Sequence, residues 1–150
     1  MDPPSITTAC LGLTGTIIKV YASVAGFVRD VRSARQELDE VLRELQSLQL
    51  VLELLRDDTS QDGGIQLPSS LTRQVTGIVA NCTVVVEELE TLIDKHKTGG
   101  INKAARWALT GRGDANKLRS SLEAHKSALE LALDLIALYV VIMSLDSSHS

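Results

Sequence analysis

Aromatic residues, proline and cysteine are all scarce in this chain. One Phe, one Trp and two Tyr occur in 150 residues, so any core must be built from aliphatic side chains. The three prolines stand at positions 3, 4 and 68, and the long intervals between them contain nothing that forbids a helix. Two isolated cysteines, Cys10 and Cys82, exclude a disulfide framework and a cysteine-ligated metal site, and they fit a reducing, intracellular setting. Positive charge is not in excess: 15 Lys and Arg against 19 Asp and Glu leave a net charge of −4, which excludes nucleic acid as the main partner. The opening MDPP supplies no basic segment and no A-x-A-like cleavage site stands out, so no secretion signal is expected. Without one, Asn81-Cys82-Thr83 reads as a chance sequon on a buried helix.

What is present is helical periodicity. Asp2 or Ser5 is placed to cap a first helix over about 3–28, with Pro3 and Pro4 tolerated in its opening turn. A second helix is predicted over about 30–57, where Leu38, Val41, Leu42, Leu45, Leu48, Leu52 and Leu55 recur at three- and four-residue steps. Residues 57–69, DDTSQDGGIQLPS, read as a loop. Ser69 or Ser70 then opens a third helix with Leu71, Val75, Ile78, Cys82, Val85, Leu89 and Leu92 on one seam. Thr98-Gly99-Gly100 ends it, INKAARWAL forms a short helical turn, and TGRG at 110–113 is expected to break the chain before Asp114 caps a last helix. That helix carries Leu118, Leu122, Leu129, Ala132, Ile136, Val140 and Met143, and its apolar stretch from Ala128 to Met143 is expected at the bundle centre. Sixteen residues are too few for a good membrane span. No strand alternation or internal repeat competes. The predicted fold is all-α: an up-and-down bundle of four long helices plus one short helix over residues 1–145, with 146–150 starting a linker or tail.

Chemistry is sparse. His96, His125 and His149 are scattered, and His125 reads as a satisfied interior histidine. Gly111-Arg112-Gly113-Asp114 lacks the strand and the Gly-Lys-Ser/Thr of a phosphate loop, and the Arg-Gly-Asp within it reads as chance. Glu130 and Asp134 lie one helical turn apart but have no Glu-x-x-His partner, so they read as a solvated or salt-bridged stripe. No enzyme activity, catalytic residue, metal or cofactor is expected.

Residues 9–28, ACLGLTGTIIKVYASVAGFV, hold one charge, Lys19, and three glycines. Wound at 100° per residue, Gly12, Gly15, Lys19, Ser23 and Gly26 form a narrow stripe beside a wide apolar arc. Small residues let helices approach closely in lipid, where packing must drive association. A helix over 6–28 would reach roughly 34 Å, enough to cross a hydrocarbon core. The candidate insertion residues are Leu11, Gly12, Leu13, Gly15, Ile17, Ile18, Val20, Val24, Gly26 and Phe27. A buried bundle helix reads the same way, and one segment serving both roles in turn would explain the glycines.

Charge is also segregated. Between Asp94 and Lys126 eight cations face three acids, whereas residues 29–58 hold five Arg and eight acids. Lys95, Lys97, Lys103, Arg106, Arg112 and Lys117 are the candidate contacts to anionic lipid.

Three stretches together resemble the HeLo-like domain of fungal cell-death and NOD-like receptor proteins. They are the glycine-spotted first helix leading into VRDVRSARQELDEVLRELQSLQLVLELL, the KAARWAL segment with Trp107, and KLRSSLEAHKSALELALDL at 117–135. The resemblance implies a helical bundle similar to the HeLo domain and to the four-helix executioner domain of the mixed-lineage kinase-like protein. It further implies a membrane-permeabilising cell-death effector, cytoplasmic when inactive and at the plasma membrane when activated. Activation would come from self-association driven by a C-terminal amyloid motif or NOD-like receptor partner outside these residues. From a different class, a soluble adaptor acting through the acidic face of the second helix is the alternative.

Overall fold

Ser5 begins the fold. Its extended backbone and its hydroxyl, which accepts the Thr8 backbone N–H at 3.0 Å, start α1 at Ile6–Asp30. The computed structural model describes residues 5–60, 66–98 and 100–148; the other expected cap, Asp2, with Pro3, Pro4 and His149, lies outside them. Val31 leaves the helical conformation while its N–H still donates to the Phe27 carbonyl at 2.8 Å. A 3₁₀ turn, Arg32–Ala34, then reverses the chain into α2, Arg35–Ser60. Hydrogen bonds joining Thr7 to Thr59 and Gln46 to Tyr21 fix α1 and α2 as antiparallel.

α2 runs through Asp57, Asp58 and Thr59, past its expected end. Thr59 keeps its hydroxyl satisfied on the Leu55 carbonyl at 2.8 Å, so these polar residues do not end the helix. The middle of the expected loop, 61–65, lies outside the described residues. Pro68 precedes α3, Ser69–Lys97. Gly100 then adopts φ +68°, a left-handed conformation that glycine supplies without steric cost.

The expected break at 110–113 is absent. α4, Lys103–Arg106, passes through one wide π-helical turn, Trp107–Gly111, directly into α5, Arg112–Ser148. Asp114 therefore lies inside a continuous helical path instead of capping one. The helix also continues past 145, where a patternless tail was expected.

Among the described residues, four long helices and one short one thus form an all-α bundle. α1 packs on α2 and α3, and α5 packs on the same two, so α1 and α5 occupy opposite corners. Leu38, Val41, Leu45, Leu48, Leu52 and Leu55 of α2 meet Val75, Cys82, Val86, Leu89 and Ile93 of α3 in one aliphatic core, with the α1 residues Cys10, Leu13, Ile17, Val20 and Val24. Burial pushes the Cys10 thiol up to about 11 and the Cys82 thiol up to about 12, so both are free but inert.

The C-terminal half of α5 departs from expectation. It does not occupy the bundle centre: Leu129, Ala132 and Ile136 are its last buried residues. At 37 residues α5 outruns α2 (26) and α3 (29), and residues 141–148 are all exposed.

Candidate functional site

The residues named for membrane insertion separate into two sets. Leu13, Ile17, Val20, Val24 and Phe27 are buried against α2 and α3. Leu11, Gly12, Gly15 and Ile18 face outward, and Gly26 is half-buried. A Cβ added to Gly12 or Gly15 would meet nothing within 4 Å. Packing within the bundle therefore gives these two glycines no purpose, and the stripe is an open strip of backbone beside exposed Leu11 and Ile18. Lys19 on this strip pairs with Glu90 of α3 at 3.5 Å.

α5 carries a second apolar face that sequence reading had assigned to the core. Leu131, Leu135, Leu138, Ile142 and Leu145 follow each other at steps of four, three, four and three, and all are exposed. Leu131 is 62% exposed and Leu138 57%. Leu131 and Leu135 border a groove of about 300 Å³ floored by Leu71 and Ile78 of α3 and Ala128 of α5. α1 and the helical run Lys103–Ser148 are both long and apolar enough to cross a membrane. The second has the higher hydropathy, with 17% of its most apolar window buried against 28% in α1.

Charge sorts along the bundle axis. Lys95 and Lys97 at the end of α3, Lys103 and Arg106 on α4, and Lys117 early in α5 gather at the end where α1 turns into α2, away from the apolar end of α5. Lys95 and Lys117 line one groove with Glu88 and Asp114. Arg112 does not belong with the free cations. It pairs with Glu37 at 2.5 Å and opens an inter-helix ladder that continues with Arg119–Glu40 at 3.3 Å and Lys126–Glu44 at 2.7 Å. Steps of three and four in α2 meet steps of seven in α5, so one face of each helix is committed to the other. Three acids on which an adaptor role for α2 would draw, Glu37, Glu40 and Glu44, are therefore paired with α5.

Beneath this basic end lies a polar–aromatic cluster. Trp107 packs on Phe27 with ring centroids 5.4 Å apart, and His96 stands edge-on to Trp107 at 5.5 Å. His96 is buried, and among the described residues neither of its ring nitrogens nor Trp107 Nε1 has a hydrogen-bond partner. Burial, with Arg106 and Lys95 nearby, holds the imidazole below its ordinary range against the opposing pull of Asp114. His125 is only partly buried, and Glu130 and Asp134 are exposed, as a solvated stripe requires. Among the described residues no group of three His, Cys, Asp or Glu is placed to hold a metal.

A four-helix bundle with two outward apolar faces and a basic end is a class of architecture, not yet a family. The sequence supplies the family: residues 1–147 match the family model described as pigment biosynthesis cluster protein PigL N-terminal, and the chain belongs to that family. No curated protein and no solved structure matches it.

Proposed function

We propose that this chain is a non-enzymatic, membrane-targeting effector that permeabilises bilayers in regulated cell death, as its resemblance to the HeLo-like domain implies. One observation carries the reading: an unpaired seam of large apolar side chains, Leu131 to Leu145, on a helix that outruns its neighbours. Soluble chains seldom leave such a face open without a surface to cover it. The open glycine strip of α1 adds support, because it is free to pack against another helix once α1 leaves the bundle.

In this reading α5 docks first, since its apolar face is already outward. α1 follows, because Leu13, Ile17, Val20, Val24 and Phe27 must exchange the core for lipid before the helix inserts. The ladder between α2 and α5 stays closed throughout. Self-association, triggered through an amyloid-motif or NOD-like receptor partner, supplies the driving force for that exchange and moves the protein from cytoplasm to plasma membrane. Lys95, Lys97, Lys103, Arg106 and Lys117 add attraction to anionic headgroups, each near-surface cation contributing about 1 kcal/mol.

Dye release from vesicles tests the reading. Wild-type protein is expected to release dye from anionic vesicles and to release less as salt screens the basic end. A soluble adaptor would release none from any vesicle.

A further inference from the structure

The α1–α2 turn builds a cleft that sequence counting hides. Residues 29–58 are acidic on balance, yet Arg29 at the end of α1, Arg32 in the 3₁₀ turn and Arg35 at the start of α2 line one open cleft of about 730 Å³. Val28 and Leu42 form its apolar wall, and Asp39 is its acid. The fold makes this arrangement: Val31 leaves the helical conformation, and the 3₁₀ turn swings Arg35 back beside Arg29.

The charges do not cancel. Asp39 pairs with Arg35 at 3.6 Å, whereas Arg29 and Arg32 form no ion pair among the described residues. Two uncompensated guanidiniums therefore face a space within the usual size range of small-ligand sites. We infer that this cleft binds a phosphate monoester, with the dianion held between Arg29 and Arg32 and the attached organic group resting on Val28 and Leu42. Guanidinium forks match phosphate oxygens in pairs. A monoester carries close to two negative charges at neutral pH, enough to balance both cations, whereas a phosphodiester or carboxylate balances one. The 3₁₀ turn packs on α4, the short helix that carries Lys103 and Arg106, although neither residue lines the cleft.

The same chemistry reaches the cleft from two sources, a soluble phosphate ester or a lipid headgroup. Glycerol phosphate titrated into the full chain at pH 7.5 is the soluble probe, read by amide chemical shifts. Vesicles of phosphatidylcholine with a minor fraction of phosphatidic acid are the lipid probe. Shifts are expected across residues 28–42, with dimethyl phosphate at equal ionic strength bound at least about tenfold more weakly. Arg29→Gln with Arg32→Gln is expected to weaken the monoester at least about tenfold. Arg73→Gln, exposed near the start of α3 at the opposite end of the bundle, is expected to leave it unchanged. Both arginines are exposed, so their replacement spares the core. Binding of the soluble ester assigns a site complete in itself; binding of the vesicles alone, weakened by Arg29→Gln with Arg32→Gln, assigns a lipid headgroup, and vesicle binding that the double variant retains overturns the cleft. Absence of binding in both arms, diester binding equal to monoester, or full binding by the double arginine variant would each overturn the inference. The titration is read without dye release, so its failure and that of bilayer permeabilisation are separable.

Discussion

Gly111 lies flat against the indole of Trp107: a Cβ there would sit 2.9 Å from Cδ2 and Cζ3 and closer still to Cε3. Trp107 is the only tryptophan of the chain and is wholly buried. The glycine at 111 is thus required for close approach, and the π-helical turn it closes sets the indole between Phe27 and His96. Gly111→Ala is expected to destabilise the bundle by about 1–3 kcal/mol through overpacking and to shift Trp107 emission to the red. Chemical denaturation followed by that emission reads both. Gly113→Ala, with open space around its Cβ, is the matched control and is expected to leave both unchanged or slightly improved.

His96 makes the fold sensitive to acid. Its folded-state affinity for protons is lowered, so the unfolded chain binds the extra proton as pH falls through about 6.5. This contribution to stability is complete above that pH and declines below it, by at most about 1.4 kcal/mol per pH unit. His96→Phe keeps an aromatic edge on Trp107 and removes two unpartnered ring nitrogens. Thermal unfolding of wild type and variant between pH 7.5 and 5.5 is expected to diverge as pH falls, the variant losing less.

The ladder between α2 and α5 is graded by burial. Glu44 and Lys126 have side chains only 15% exposed, and Lys126 also donates to Ser47 Oγ at 3.1 Å. Lys126→Met leaves Glu44 half-buried and unpaired, at an expected cost of about 1–3 kcal/mol. Adding Glu44→Gln is expected to recover part of that loss. Lys19→Met, at a pair whose lysine is 73% exposed, is expected to cost under about 1 kcal/mol. Urea denaturation of the three variants and wild type separates the two kinds of pair.

Where periodicity was strict, sequence and structure agree. The α3 seam from Val75 to Leu92 is buried, with Leu71 and Ile78 half-buried, and the α2 seam is buried with Leu42 at its margin. The end of α5 was not legible, because a segment apolar on every side has no period to say which face packs or whether any does. TGRG misled because glycine punctuates a helix or admits a neighbouring ring, and only the position of Trp107 decides between them. Arg112 looked like a free cation because its partner Glu37 lies 75 residues away. The arginine cleft was hidden for the same reason: counting charge along the chain averages over what a turn brings together.

The glycine strip of α1 is tested at Gly12 and Gly15. Gly12 and Gly15 are exposed, with open space around an added Cβ, so leucines there are expected to be accommodated, and helix propensity is expected to add about 0.5–1 kcal/mol per site. Gly12→Leu with Gly15→Leu is therefore expected to raise the unfolding temperature and retain vesicle binding. Dye release is expected to fall strongly, because leucines block helix-to-helix approach in lipid. Full release from this stable variant would remove the packing role of the strip.

The most direct measurement places a fluorophore on α5. Cys10 and Cys82 are buried with thiols pushed to about 11 and about 12, so Ile142→Cys offers one reactive thiol on the exposed face. On anionic vesicles, a polarity-sensitive label at 142 is expected to shift to the blue and to be quenched by spin labels in the acyl chains. The same label on Glu123→Cys, exposed beside the α2–α5 ladder, is expected to remain in water. Protein that binds the vesicles while the label at 142 stays open to aqueous iodide would contradict a membrane-docking α5.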